Sequence, residues 1–187
     1  MKILHIEKAK TGDVAALNQL LDQYKDVAFS IAFRILKNKD DAEDVVQDSF
    51  VKVFKSIKQF RNESRFSTWL YRIVYNESIR ALKCDSHFIY SDVHENDAVV
   101  DYPMIDDALQ NLVTTERKKI IREALDQLHA NESLVLTLFY LEEKNIREIH
   151  KITQLSKTNI KVIMHRARKN LYTILKRMLK NEMDYLT

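Results

Sequence analysis

The sequence predicts an all-α protein, two small helical domains joined by an acidic linker, and three observations carry that expectation. The 187 residues include one glycine, Gly12, and one proline, Pro103. These two residue types punctuate strands, hairpins and tight phosphate loops, so their scarcity argues for helices. Hydrophobic residues make up 45% of the chain and charged residues 30%, enough for a core beneath a solvated surface. The third observation is segmented charge. Residues 1–83 carry 15 Lys and Arg against 11 Asp and Glu, residues 84–116 none against 8, and residues 117–187 15 against 8. Two basic blocks flank the acidic CDSHFIYSDVHENDAVVDYPMIDD, which lacks a steady period and holds the only proline. The expected boundaries are 1–85, 86–115 and 116–187.

The helices follow from apolar periodicity and start signals. One begins near Asp13 and runs to about Lys37. A second spans about Asp40 to Ile57, with Asp40, Asp41, Glu43 and Asp44 near its start, where carboxylates suit the positive end of the helix dipole. Its inward stripe is Ala42, Val45, Val46, Phe50, Val53 and Ile57. Asp41, Asp44 and Asp48 share the opposite side, with Val51 beside them. A third helix starts near Ser64 or Ser67 and reaches about Lys83. Beyond the linker, ERKKIIREALDQLH and ESLVLTLFYLEE read as two packed amphipathic helices. A short helix then opens at Asn145, paired with Glu148 as in a capping box. A break at Gln154-Leu155 precedes a last helix capped by Ser156.

Two faces carry candidate chemistry. In FRNESRFSTWLYRIVYNESIRALK, at about 100° per residue, Phe66, Trp69, Leu70, Ile73 and Val74 form one apolar stripe. Arg65, Arg72, Asn76, Arg80 and Lys83 share a neighbouring face, and Trp69 lies at the seam. Cations that hold phosphates beside rings that stack on unpaired bases would suit a nucleic-acid surface. An ordinary amphipathic helix with a solvated cationic side fits the same pattern, and Tyr71 and Tyr75 could offer rings or simply pack. The second face is more specific. NIREIHKITQLSKTNIKVIMHRARKNL has the layout of a helix-turn-helix, whose second helix enters the major groove. Ile160, Ile163, Ala167, Leu171 and Ile174 point inward, and Lys157, Lys161, His165 and Arg168 point outward. Ser156, Lys157, Thr158, Asn159 and Lys161 occupy the cap and first turns, where such helices meet base edges.

Enzymatic readings find little support. Cys84 is the only cysteine, so neither an internal disulfide nor a CxxC knuckle is available. His5, His87, His94, His129, His150 and His165 are scattered without a metal-binding spacing. One glycine cannot build a phosphate loop. Neither a catalytic activity nor a cofactor or metal is expected. No run approaches the roughly 18 apolar residues of a membrane span, and MKILHIEKAKTGD lacks the features of a secretory signal. A cytoplasmic protein without membrane insertion is the expectation.

Both halves, in order, resemble the extracytoplasmic-function (ECF) group of bacterial RNA polymerase sigma factors. DAEDVVQDSFVKVFKSI and FRNESRFSTWLYRIVYNESIRALK match the family's region two. LDQLHANESLVLTLFYLEEKNIREIHKITQLSKTNIKVIMHRARKNL matches region four. The resemblance implies a promoter-specificity subunit that binds core RNA polymerase, at the β′ clamp helices and the β flap, and recognises −35 and −10 promoter elements. It implies that Arg61, Asn62 and Arg65 border a pocket for a flipped base, and that Trp69, Arg72, Asn76, Arg80 and Lys83 serve −10 recognition and melting. Asp44, Gln47, Asp48 and Val51 would dock on the polymerase. An anti-sigma factor is a further partner known to the group. Three departures stand out: His150 where the family has a small residue, Gln154 at the turn glycine, and Thr158-Asn159-Ile160-Lys161 for Gly-Thr-Val-Lys. Gln154 must then take a positive φ, unless the turn changes type. Beside the sigma reading stand a stand-alone helix-turn-helix regulator and a helical interaction protein without DNA function.

Overall fold

In a computed structural model, residues 2–84 and 115–184 are described, and they hold helices without a strand. They are α1 (Lys2–Lys10), α2 (Val14–Asp22), α3 (Lys25–Leu36), α4 (Lys39–Ser56), α5 (Phe66–Cys84), α6 (Thr115–Asp126), α7 (Ala130–Leu136), α8 (Ile146–Thr153) and α9 (Lys157–Asp184). They fall into two compact units, one carrying α1–α5 and the other the bulk of α6–α9. The protein is therefore all-α with two small helical domains. Nearly all of the acidic stretch expected as a linker lies outside the described residues.

The first unit is a bundle in which α3, α4 and α5 pack on one another and α1 packs on α2. Local chemistry sets the starts of α2 and α4. The Asp13 carboxylate accepts the Ala16 amide at 2.9 Å, and the Asn38 side chain accepts the Asp40 amide at 2.9 Å, so each satisfies an orphan donor of a first turn. Ala42, Val45, Val46, Val53 and Ile57 are buried as the stripe requires, and Phe50 is half-buried. On α5, Tyr71 and Tyr75 are 1% and 5% exposed, so both pack and neither offers a ring to a ligand.

The single helix expected from Asp13 to Lys37 is instead two helices. The periodic stripe runs unbroken through Leu17, Leu20, Leu21, Ala28, Ile31 and Ile35, all buried, and contains no breaker. At the junction the Tyr24 amide reaches back only three residues, to the Leu21 carbonyl at 2.9 Å. The Tyr24 ring packs 5.6 Å from Phe66 and 6.1 Å from Tyr71 of α5. Tertiary packing overrides local continuity there. α1 has no counterpart among the expected helices. It carries no acidic residue in its first turn, and so no start signal.

In the second unit Ile121, Ala124, Leu125, Leu128, Leu136, Ala167 and Leu171 form one core, edged by Tyr140, Ile174 and Met178. The buried Ser133 hydroxyl donates to the Leu125 carbonyl at 2.7 Å and ties α7 to the end of α6. The segment expected as one helix over ESLVLTLFYLEE is α7 followed by a wide π turn at Thr137–Leu141, closed by Glu142 N–H to Thr137 O at 3.1 Å. Such turns rotate the side chains that follow them relative to the helix before. Here the turn leaves Tyr140 against α9.

Candidate nucleic-acid interface

The helix-turn-helix is built from α8, its turn and α9. Asn145 Oδ1 accepts the Glu148 amide at 3.0 Å and Glu148 Oε2 accepts the Asn145 amide at 3.1 Å, a complete capping box. α8 ends at Gln154, whose φ of 62° is left-handed and whose amide donates to His150 O at 2.9 Å. The expected positive φ is present. His150 is half-buried, and its Nδ1 lies 2.7 Å from the Leu155 carbonyl. A carbonyl only accepts, so Nδ1 carries the proton. The departure from a small residue thus adds a side-chain bond that closes the same turn. Across it, Ser156 Oγ accepts the Asn159 amide at 3.1 Å and starts α9.

Along α9, Ile160, Ile163, Ala167 and Leu171 are buried. Ser156, Lys157, Thr158 and Lys161 are exposed on the cap and first turns, and His165 is half-buried. Asn159 is also half-buried, and its Oδ1 is turned inward without a hydrogen-bond partner among the described residues. Further along, the arginines are part of the scaffold. Arg166 Nε donates to Glu132 Oε1 at 2.6 Å, and Asn170 Nδ2 lies 3.1 Å from both Glu132 oxygens. Arg168 Nε donates to the Tyr140 hydroxyl at 2.7 Å, with the guanidinium 5.6 Å from that ring's centroid.

On the first unit, Phe60, Phe66 and Trp69 form a cluster with ring centroids 5.1 to 5.7 Å apart. Burial by this neighbourhood raises the Tyr24 hydroxyl above its ordinary value, so the ring stays neutral. Arg61, Asn62 and Arg65 are exposed on the preceding loop, where Asn62 takes a left-handed φ of 58°. Phe60, Arg61, Thr68, Trp69 and Arg72 border one recess. Trp69 is half-buried at its edge, and Arg72, Asn76 and Arg80 are exposed along α5. The Lys83 side chain lies outside the described residues. Lys10 of α1, which sequence reasoning missed with its helix, sits 5.4 Å from the Phe60 ring centroid.

A different face of the same unit is acidic. Asp44, Gln47, Asp48 and Val51 are all exposed on α4. Val51 and Phe54 are 50% and 53% exposed, and with Phe50, Leu17 and Leu21 they line a groove of about 440 Å³. Val51 and Phe54 are thus left in water beside the Asp44 and Asp48 carboxylates, a face that would repel DNA phosphates. Phe54, Leu17 and Leu21 were not among the expected docking residues.

Two helical modules of this kind, one with a helix-turn-helix and one with cations beside an aromatic recess, define a DNA-binding transcription factor. The family models for Sigma-70 region 2 and Sigma-70 region 4 match residues 20–87 and 118–171. The chain is 31% identical over 173 residues to the ECF RNA polymerase sigma factor SigW of Bacillus subtilis, covering 89% of this chain and 92% of that protein. It is 27% identical over 169 residues to the ECF RNA polymerase sigma-E factor of Haemophilus influenzae, covering 87% and 89%. Its fold is similar to the sigma factor RpoE of Bartonella quintana, solved with the anti-sigma factor NepR, at a TM-score of 0.63 and 22% identity over 87% of this chain and 98% of that one. CnrH, solved with the cytosolic domain of CnrY, gives 0.62 and 20% over 93% and 96%. The chain belongs to the ECF RNA polymerase sigma factors. It is a promoter-specificity subunit that binds core polymerase and promoter DNA to start transcription.

Among the described residues no cluster of His, Cys, Asp and Glu could hold a metal ion, and no helix is long and apolar enough to cross a membrane.

Proposed function

We propose that residues 1–85 dock on the core enzyme and melt the −10 element, that 116–187 read the −35 element, and that 86–115 connect them. The observation that supports this most is the start of α9. A capped first turn offers Ser156, Lys157, Thr158 and Lys161 to solvent while Ile160 and Ile163 are buried. Asn159, His165 and Arg168 border this face. For the first unit, the loop residues Arg61, Asn62 and Arg65 border the site for an extruded base. Trp69 stacks on it, and Arg72, Asn76, Arg80 and Lys83 hold the backbones apart. Unstacking a base takes a few kcal/mol, and a surface with both rings and cations can offset that.

Asp44, Gln47, Asp48 and Val51 serve as the polymerase docking face. The protein acts in the cytoplasm, with its polymerase, and has no catalytic activity of its own. The solved complex of the sigma factor RpoE with the anti-sigma factor NepR supports control by an anti-sigma partner here too. Multi-round transcription with purified core polymerase on sheared genomic DNA, read by transcript 5′ ends, tests the whole reading. Discrete starts that require the chain and share two upstream elements are expected. Asp48→Lys should abolish co-purification with core and these starts while the helical content is retained. Unchanged co-purification would overturn the docking assignment. Binding of duplex DNA without any polymerase-dependent start would move the stand-alone regulator ahead.

A further inference from the structure

The cationic face of α5 contains one misfit. Glu77 sits one position after Asn76, on the helix proposed to meet promoter DNA, and its side chain is only 10% exposed. Both its oxygens are used. Oε1 lies 2.5 Å from Lys52 Nζ of α4, and Oε2 lies 3.0 Å from Arg80 Nη2, one turn further along α5. A carboxylate beneath a phosphate-binding face works against affinity for DNA, since it subtracts charge from the counterion exchange that drives binding. Nor is a buried ion pair by itself a strong source of stability, because desolvation offsets most of the attraction. What the arrangement does supply is orientation. Arg80 is 66% exposed, and an arginine that far into solvent ordinarily samples many rotamers. Here one nitrogen of its guanidinium, Nη2, is held by Glu77. Lys52 in turn fixes the carboxylate from the neighbouring helix.

We propose that Glu77 is a positioning residue, which holds Arg80 in the orientation used for promoter contact, with Lys52 as its support from α4. This rests on the reading that Arg80 touches the promoter. The planar fork of a guanidinium can give one edge to a carboxylate and still present its other donors to a phosphate, which a lysine ammonium could not do with the same geometry.

The sign of one effect separates this from a charge-balancing or purely structural role. In holoenzyme assembled with core polymerase, promoter affinity is measured for Glu77→Gln, for the Lys52→Gln/Glu77→Gln pair, for Arg80→Ala and for the combinations. Glu77→Gln adds a unit of positive charge, so a charge-balancing role predicts tighter binding and a steeper salt dependence. The proposal predicts weaker binding, by about fivefold, as expected for loss of one ordered charge-assisted contact. The Lys52→Gln/Glu77→Gln pair leaves net charge unchanged, so it separates loss of the tether from gain of positive charge. It should lose the same factor. Neither change should matter further once Arg80 is alanine. Tighter or equal binding by both Glu77 variants overturns the proposal. An undiminished loss in the Arg80→Ala background also overturns it, because Glu77 would then act through something else. If Arg80→Ala alone leaves promoter affinity unchanged, the reading of Arg80 itself has failed, and that single-variant result distinguishes the two failures.

Discussion

α5 and α9 both carry a cationic face, yet they hold their cations differently. On α5, Arg72 and Asn76 extend into solvent beside a compact aromatic cluster, and Arg80 is tethered by Glu77. On α9 the division runs along the helix. The lysines of the first turns are exposed, whereas Arg166 and Arg168 turn back onto Glu132 and Tyr140. A cluster of Lys and Arg in a sequence therefore mixes two populations. On α9 the forked guanidiniums of Arg166 and Arg168 tie the helix to its own unit, and the lysines of the first turns stay in solvent. That division ties the middle of α9 to its domain and leaves its start open, as the proposed reading of base edges requires.

The largest effect should come from breaking the clamp. Glu132 is 1% exposed and serves both Arg166 and Asn170, so Glu132→Ala strands a partly buried guanidinium and an amide. Removing one partner of such a pair destabilises by about 3 kcal/mol. Denaturant unfolding followed by a probe in the second unit should show that loss, with the transition of the first unit unmoved. A loss below about 1 kcal/mol, the range of exposed surface pairs, would mean that Arg166 is not scaffold.

Two further variants sharpen the contrast within α9. Lys161→Ala should leave stability within about 0.5 kcal/mol, as for exposed sites. It should lower promoter affinity and reduce the slope of log affinity against log salt by about one unit. Arg168→Ala should do something different. It removes the bond to Tyr140 and its ring contact, so about 1 kcal/mol of stability goes along with any DNA effect. Equal stability for the two variants would erase the distinction between contact and clamp.

Much of this organisation is legible in the sequence, and several of the misses share a cause. The capping box at Asn145, the cap at Ser156 and the apolar stripes are local consequences of residue type and spacing, whereas the positive φ at Gln154 is legible only through the resemblance to the family. The break at Tyr24 is not local, because it depends on Phe66 and Tyr71, more than 40 residues away in the chain. The same holds for the candidate site. Periodicity places Arg72, Arg80, Lys161 and Arg168 on cationic faces, and Glu77 is an i,i+3 neighbour of Arg80, but the partners Glu132 and Tyr140 come from pairing in space. One signal was available: Glu132 opens the apolar run ESLVL, and an acid at the edge of a buried stripe needs a cation to satisfy it.

The turn of the helix-turn-helix offers the smallest and most delicate test. Gln154 takes a φ of 62°, a conformation that costs a residue with a Cβ about 1 kcal/mol relative to glycine. Gln154→Gly should relieve it, with part of the gain offset by the wider freedom of glycine in the unfolded chain. The expected net is stabilisation by about 0.5 kcal/mol. It should be smaller in a protein that also carries His150→Ala if the bond from His150 Nδ1 to the Leu155 carbonyl is what holds the turn in shape. The two substitutions lie four residues apart around one turn, close enough to be coupled rather than additive. A full double-mutant cycle by thermal unfolding measures that coupling directly. Strict additivity would show that His150 is merely packed beside the turn, and that the backbone bond from Gln154 to His150 suffices to set where α9 begins.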